Sequence, residues 1–339
     1  MNQKIQPDNL NSSDNVTQWA SEKEVIKTSF PIYLTLFCIK CFPKFLLNGL
    51  IRIIGFFFFV FNKRAKSECL RFQNQFKSYC QNFKQKIPNV YKQIVCFAIT
   101  FVEKMECWVK KNPGVKVEFS QGDDVYNLIN HLNSGKGAFV VVSHLGNSEV
   151  LRCLANRNDI CLNKKVPIAV LMDLGSTSNF TNTIEKLNPG FTENIVDVNN
   201  ITPATIEHLE EVIEQGGMVV SAGDRVSKNA DSRFIKADFL GKEAPWSYGV
   251  YLIAMLLKAP VYFLFGTRKK DVSFNRKYHV HVVKSSVETD CARKDRETNL
   301  KNLCFEFVRE LEKVCLEHPF QWYNFYNFWA DSKDEEKNA

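Results

Sequence analysis

The sequence lacks the paired cysteines from which a disulfide framework or a zinc site is built. Its 11 cysteines are scattered singly except for Cys38 and Cys41, which lie in an apolar run with no second pair and no nearby histidine. We therefore expect reduced thiols facing the cytosol, no bound metal and no redox role. Internal repeats, low-complexity blocks and a nucleic-acid-binding motif in a fitting context are also missing.

Acidic residues are scarce in the N-terminal third of the chain. Between Tyr33 and Lys111 there are 14 Lys and Arg against 3 Asp and Glu, a net charge of +11. Because the whole chain carries +7, the remainder sums to −4. The basic window is also the most apolar part of the chain, which favours an anionic membrane surface over nucleic acid as its partner.

A clean run of transmembrane length is missing too. The apolar segment that starts at Pro31 is too long and too far along the chain for a signal peptide, and no small-residue cleavage site follows it. Its longest uninterrupted stretch, Ile53–Phe61, is well short of the ~20 residues needed to cross a bilayer. Lys63, Arg64 and Lys66 follow at once. This pattern predicts a helix in the membrane interface, with the basic collar on the cytoplasmic side. A helix packed on the protein's own core is the alternative.

The rest of the chain alternates apolar β-type runs with amphipathic stretches. Strands are predicted at 115–119, 137–142, 167–172, 194–198, 217–221, 236–240, 260–266 and 277–283. Helices are predicted at 64–83, 90–109, 122–134, 147–156, 176–187, 202–215, 247–257 and 292–317. The alternation predicts an α/β fold with a mixed, largely parallel sheet flanked by helices. The expected regions are a flexible polar arm (1–29), a helical membrane-associated region (30–111), the α/β domain (112–330) and a charged tail (331–339).

The most informative stretch is Val140–Arg152, "VVVSHLGNSEVLR". His144 follows a β-branched run, at the carboxyl end of a predicted strand, where parallel α/β sheets gather ligands. In a regular helix, His144 and Glu149 would point ~140° apart, because each residue turns the helix by ~100°. They can meet only if His144 lies on a turn before the helix, and Gly146 and Asn147 permit that turn, with Asn147 as the N-cap. Spacing alone leaves two interpretations open: a His144–Glu149 dyad, or a plain strand exit with an acid in the first helical turn.

Three later blocks accompany this stretch. They are "SAGDRV", "DFLGKEAPWSYGVYLIAMLLKAPVYFLF" and "HPFQWYNFYNFW". In order and spacing, the four blocks resemble the lysophospholipid acyltransferase superfamily, in the branch of the lipid A lauroyl and myristoyl acyltransferases. The likeness covers most of the chain and is closest to members near glycolipid and aryl-polyene pathways.

The resemblance implies an acyltransferase at the cytoplasmic face of the inner membrane, which needs no bound cofactor. It would move an acyl chain from an acyl-carrier-protein or coenzyme A thioester to a hydroxyl or amine of a lipid or glycolipid, without an acyl-enzyme. His144 would be the general base, and Glu149 would orient and stabilise it. Asn147, Asp224 and Arg225 would contact substrate, and a guanidinium suits a phosphate or carboxylate.

The block "DFLGKEAPWSYGVYLIAMLLKAPVYFLF", third of the four along the chain, adds four candidate substrate-binding residues. Gly241 and Gly249 would permit close backbone approach, while Trp246 and Tyr248 would line an acyl or acceptor groove; plain core packing is an equally open interpretation of the two aromatics. The aromatic tail is expected to cap the acyl tunnel or rest at headgroup level. Five other histidines have no acid at the same interval and fit packing or surface positions, namely His131, His208, His279, His281 and His318.

Two rival functions stay open. A membrane-associated binding protein of the same fold would lack turnover, and an intact His144–Glu149 pair speaks against it. A thioesterase or lipid hydrolase would use water as the acceptor and would release free fatty acid as its main product.

Overall fold

The structure is a computed structural model and describes residues 30–80, 89–109, 114–119, 124–150, 162–163, 165–175, 178–187, 193–226 and 233–329. Within these ranges the helices are α1 (Phe30–Cys41), α2 (Lys44–Phe61), α3 (Lys63–Tyr79), α4 (Val90–Val109), α5 (Val125–Asn133), α6 (Ser178–Leu187), α7 (Pro203–Glu214), α8 (Tyr248–Leu257) and α9 (Arg296–Glu317). The strands are β1 (Lys116–Phe119), β2 (Ala138–Val142), β3 (Ile168–Met172), β4 (Ile195–Asp197), β5 (Met218–Ala222), β6 (Phe234–Phe239), β7 (Lys242–Ser247), β8 (Val261–Arg268) and β9 (Lys277–Lys284).

One sheet of seven strands organises the described part of the chain, in the order β1-β9-β8-β2-β5-β3-β4. The five strands from β8 to β4 run parallel, whereas β9 turns back antiparallel to β8 and pairs parallel with β1. The predicted α/β fold with a mixed, largely parallel sheet flanked by helices is confirmed. Strand β2 lies in the middle of this sheet, so the loop that leaves it is surrounded by the ends of neighbouring strands.

Both faces of β2 are covered, which explains its uninterrupted apolar sequence. All five of its residues are buried, as expected for a parallel strand between two layers of helices. Phe139 and Val141 face an aromatic core that includes α8 and α9. Val140 and Val142 face the opposite layer, where Leu128 and other apolar side chains of α5 pack. Successive side chains of β2 therefore pack into two different hydrophobic cores, one on each face of the sheet.

Most predicted elements are found with small shifts at their ends. The predicted helix 90–109 coincides with α4, and the predicted strand 137–142 corresponds to β2. Of the predicted helix 147–156, Glu149 and Val150 are helical, Asn147 and Ser148 precede the helix, and residues 151–156 lie outside the described residues. The predicted arm 1–29 and tail 331–339 also lie outside them.

The predicted single strand at 236–240 is wrong in extent. The structure has an antiparallel hairpin there, in which β6 pairs with β7. Leu240 and Gly241 form its two-residue turn, with φ angles of 52° and 73°, as a tight hairpin of this kind requires. Strand β7 has the sequence "KEAPWS". Its charged residues and Pro245 are not typical of a strand, so β7 is recognised only by its pairing with β6.

The N-terminal apolar segment forms two helices, because the chain breaks at Pro43. Helix α2 is long and apolar enough by composition to cross a membrane, and only 17% of it is buried inside the protein. Leu47, Ile51 and Gly55 form its buried face. On Gly55, a Cβ would lie 3.1 Å from Val95 of α4, so the two helices pack closely. The rest of α2 presents phenylalanine and isoleucine side chains outward.

Helix α4 joins this helical region to the sheet through buried polar groups. Arg268 at the end of β8 pairs with Glu103 of α4 at 2.8 Å, and both side chains are 0% exposed. Thr100 of α4 shares a 2.9 Å hydrogen bond with the hydroxyl of Tyr323. The domain boundary predicted between residues 111 and 112 stays a prediction. Buried polar contacts connect the regions on its two sides.

Candidate active site

The sheet brings the ends of β2 and β5 together. The strands are parallel neighbours, and Val142 stands opposite Ala222. The amide of Gly223 donates to the carbonyl of Val142 at 2.9 Å. A Cβ on Gly223 would lie 2.6 Å from a methyl of Val141, so only glycine permits this approach. Two residues past each strand end, His144 and Asp224 therefore face one another.

Asp224 holds His144 by two hydrogen bonds. The carboxylate oxygen Oδ1 lies 2.8 Å from the ring nitrogen Nδ1, and Oδ2 accepts from the backbone amide of His144 at 2.8 Å. The Asp224 side chain is 0% exposed, whereas that of His144 is 29% exposed. The imidazole is thus anchored from the inside and open to substrate from the outside. The sequence predicts a substrate contact for Asp224, and the structure gives this carboxylate a second role.

Burial and charge keep the imidazole neutral. Burial lowers the pKa of His144, the Arg225 cation lowers it further, and Asp224 opposes both, with a result of about 4. Although burial acts to raise the pKa of Asp224, its pairing with His144 and the nearby Arg225 lower it to about 2. At neutral pH the pair is therefore an ionised carboxylate beside a neutral imidazole, which is the state that a general base requires.

The turn after His144 is built as the sequence predicts. Gly146 has φ +70°, and a Cβ there would lie 2.1 Å from the carbonyl oxygen of Gly266. The Asn147 side chain accepts from the amide of Glu149 at 3.1 Å, which confirms it as the cap of the helix that begins there. Its amide nitrogen donates to the hydroxyl of Tyr278, and the residue is fully buried. The substrate contact predicted for Asn147 stays a prediction.

A segment near the C-terminus, residues 321–324, packs over this turn. The amide of Gly146 donates to the carbonyl of Gln321 at 2.8 Å, and the amide of Tyr323 donates to the carbonyl of His144 at 3.2 Å. Asn324 donates to Asp224 at 2.9 Å and accepts from the Nε of Arg225 at 2.8 Å. Sequence reasoning missed Asn324, although it lies in the aromatic tail that carried part of the resemblance.

A second residue missed by sequence reasoning is Lys104 of α4. Its ammonium group donates to the hydroxyl of Ser148 at 3.3 Å. Burial lowers the pKa of Lys104, while the nearby Glu149 acts to raise it. Lys104 also lowers the pKa of His144, so it lies within electrostatic reach of the imidazole. Two cations, Lys104 and Arg225, therefore accompany the His144–Asp224 pair.

An apolar cavity reaches the same turn from the α5 side of the sheet. The cavity has a volume of about 100 Å³, and the space between its walls together with its open mouth amounts to about 840 Å³. Its walls come from the sheet and α5, with Val140, Val142, Leu128 and Ile129 among them. Its polar lining consists of Ser148 and Glu149. These walls suit an apolar part of a ligand, and Glu149, five residues after His144 in the chain, belongs to the lining.

Three of the four candidates from the block that begins "DFLGKEAPW" contact other parts of the fold. Gly241 turns the β6–β7 hairpin and lies against Tyr79, and Tyr248 donates to Glu297 at 2.8 Å. Trp246 is 0% exposed in the aromatic core, so the core interpretation holds for it. Outside its chain neighbours and its own helix backbone, no described heavy atom lies within 4 Å of a Cβ built on Gly249, so the space beside this residue is open. Their substrate contacts stay predictions.

A neutral, carboxylate-anchored histidine at a strand end, with an apolar cavity and two cations beside it, suits an enzyme that deprotonates an acceptor and handles a lipid-like substrate. Comparison with protein families is consistent with this class: residues 18–331 match the model of the bacterial lipid A biosynthesis acyltransferases. The chain belongs to that family and is an acyltransferase, which confirms the resemblance drawn from the four sequence blocks. Comparison with curated proteins gave no significant match.

The family carries several coarser properties with it. It implies an acyl thioester as donor and a lipid as acceptor, it is membrane-associated, and its acyltransferases need no cofactor. The apolar helix α2 agrees with membrane association.

Proposed function

We propose that this protein transfers a fatty acyl chain from an acyl-carrier-protein or coenzyme A thioester to a hydroxyl, or an amine, of a glycolipid-type acceptor. The observation that carries the proposal is the His144–Asp224 pair, with Nδ1 and Oδ1 2.8 Å apart and the imidazole partly exposed. Asp224 orients the base in this scheme. The pairing of His144 with Glu149 stays a prediction, and Glu149 stands where the apolar cavity meets the turn.

The transfer proceeds without an acyl-enzyme. The Nε2 of His144 removes the proton from the acceptor hydroxyl, and the oxygen attacks the thioester carbonyl carbon. The new C–O bond gives a tetrahedral oxyanion, which collapses as the C–S bond breaks. The imidazolium returns its proton to the departing sulfur, so the products are an ester and a free thiol. Asp224 stabilises the imidazolium between these steps.

The two nearby cations provide the electrostatic part of the mechanism. Asn324 accepts from the Nε of Arg225 and donates to Asp224, so it ties the guanidinium to the catalytic pair. We assign it to a phosphate or carboxylate of the acceptor, since a guanidinium binds both well. We assign Lys104, which donates to Ser148 in the turn, to the stabilisation of negative charge on the thioester oxygen in the transition state.

The acyl tail occupies the apolar cavity in this proposal. Ile129 is a partly buried wall residue on α5, while Tyr126 on the same helix is 75% exposed. Ile129→Trp should shift the preference toward shorter acyl thioesters, and Tyr126→Trp should leave it unchanged. The measurement is a competition among labelled thioesters of different chain length. An unaltered length profile in Ile129→Trp would place the tail elsewhere.

Helix α2 lies in the plane of the membrane interface in this proposal. Arg52, at the middle of α2, donates to the carbonyl of Val272 in the β8–β9 loop at 2.9 Å, and Tyr91 of α4 donates to the carbonyl of Arg52 at 3.1 Å. A spanning α2 would carry these contacts to the bilayer centre, where a charged side chain and loop backbone are costly. The exposed face, with Phe45 and Phe56 at 73% and 52% exposure, instead enters the lipid from one side.

Reporter fusions test this placement in cells. With α2 in the plane, reporters on either end of the full chain are both active in the cytoplasm, at the inner face of the inner membrane. A periplasmic N-terminal reporter with a cytoplasmic C-terminal one would show that α2 spans.

The central experiment is an acyl-transfer assay with the full chain in detergent. Wild-type protein should move label from thioester to membrane lipid, and His144→Ala should not. Equal transfer by both proteins would rule out His144 as the base. Free fatty acid as the main product in the presence of lipid would favour the hydrolase, and bound but unconverted thioester would favour the silent binding protein. Mass spectrometry of the product identifies the acceptor and the acyl length together.

A further inference from the structure

A cluster of imidazoles lies away from the active-site turn, where the end of α9 meets β9. His281 of β9 and the neighbouring pair Glu317 and His318 at the end of α9 each offer a ligand atom, and these atoms all lie within 4.8 Å of one another. His279, two residues before His281 on the same face of β9, lies against it with ring centroids 4.4 Å apart and ring planes tilted by 32°. Distant parts of the chain thus converge on one point.

One ring nitrogen of a histidine in this cluster has no hydrogen-bond partner although it is buried. The Nε2 of His281 is buried and has no hydrogen-bond partner among the described residues. A buried polar atom left unsatisfied costs free energy, and such atoms in folded proteins usually have an explanation. A histidine with such a nitrogen, in a cluster with another imidazole and a carboxylate, has an obvious one, because these three groups are ligands of a divalent transition metal ion.

We propose that His281, Glu317 and His318 bind a divalent transition metal ion, with Zn²⁺ the best match to two imidazoles and a carboxylate. Bonds of about 2.0–2.2 Å in a tetrahedral site draw the ligand atoms closer than they now stand. Glu317 is exposed in the last turn of α9, so its side chain is able to make the adjustment. Water completes the coordination. The sequence predicts no metal site. It lacks the paired cysteines of a zinc motif, and His281 is separated from Glu317 and His318 by more than 30 residues.

The location gives the ion a structural consequence. The amide of Gln321 donates to the carbonyl of His318 at 3.0 Å, and the carbonyl of Gln321 accepts from Gly146 at 2.8 Å. The side chain of Gln321 also bonds the backbone of Arg268 in both directions, at 2.7 Å each. A metal bound to His318 therefore fastens α9 to β9 at the start of the segment that closes over the His144 turn.

Zinc retention by the full chain tests the proposal. The protein is purified in detergent without a histidine tag, stripped with a chelator, loaded with Zn²⁺ and dialysed against metal-free buffer. Metal is then counted by mass spectrometry, and affinity is measured by competition with a fluorescent chelator. The variants are His281→Asn, His318→Asn and Glu317→Gln. The matched control is His208→Asn, an exposed histidine of α7.

Wild type and His208→Asn should retain one equivalent of zinc per chain. His281→Asn and His318→Asn should each bind one equivalent less. Glu317→Gln should weaken binding by about tenfold or more, by analogy with the loss of other groups that support a metal site. Because Glu317 is exposed, this variant decides the matter if a histidine variant fails to fold. Zinc retention by all three cluster variants equal to wild type, or no retention by wild type, would overturn the proposal.

Discussion

Replacement of Asp224 by asparagine is the sharpest test of the active-site geometry. In the wild type, Oδ2 accepts from two donors, the backbone amide of His144 and the side chain of Asn324, while Oδ1 faces the Nδ1 of His144. The substituted side chain keeps its oxygen toward the two donors, because its amide group there would meet two N–H groups. Its NH₂ group then faces Nδ1 and donates to it.

That donation puts the imidazole in the wrong tautomer. With Nδ1 as an acceptor, neutral His144 carries its proton on Nε2, the nitrogen that must accept the substrate proton. The charge that stabilises the imidazolium is lost as well. General-base catalysis contributes about 10²–10⁴-fold, and an Asp-to-Asn change in a comparable triad costs about 10⁴. We expect transfer to fall by about 10²–10⁴-fold, mainly in kcat, with KM for the thioester little changed.

The assay is label transfer from thioester to lipid, with thermal unfolding measured on the same samples. The matched control is Asp238→Asn, an exposed carboxylate on β6, which should behave as wild type. Glu149→Gln is the informative companion. If folded Asp224→Asn keeps its rate within about threefold while Glu149→Gln loses it, Glu149 and not Asp224 orients the base, and our reasoning about the tautomer is refuted.

Three further predictions concern stability and pH. Glu103→Gln leaves the Arg268 guanidinium charged and fully buried, so chemical denaturation should show a loss of about 3–5 kcal/mol, whereas an unchanged midpoint would contradict a buried ion pair here. Gly146→Ala adds a Cβ that would lie 2.1 Å from the carbonyl oxygen of Gly266. The left-handed backbone alone costs about 1–2 kcal/mol, so both melting temperature and transfer rate should drop, and a variant that matched wild type in both would show that the turn tolerates a side chain. Because the pKa of His144 is lowered from 6.5 to about 4 in the folded protein, its contribution to stability is present above pH 6.5 and is lost as pH falls toward 4. The initial transfer rate should accordingly hold as pH falls through 6.5, and a rate that halves near pH 6.5 would indicate an ordinary, solvated imidazole.

The sequence by itself determined the features that depend on residues close together in the chain. The uninterrupted apolar run of β2 required a buried strand, and Gly146 and Asn147 required a turn and a helix cap directly after His144. Periodicity located most helices and strands, and four motif blocks led to the correct family. These signals are local, since backbone preferences and side-chain periodicity act over a few residues.

Only the tertiary structure brings Asp224 to the histidine. Sequence spacing drew attention to Glu149, five residues from His144, whereas the bonded carboxylate belongs to Asp224, 80 residues away. The order of strands places β2 beside β5, and Gly223 allows their ends to touch. Asn324 reaches Asp224 across 100 residues in the same way. Side chains brought together by strand order and helix packing leave no periodic trace in the chain, so these partnerships exist only in the folded molecule.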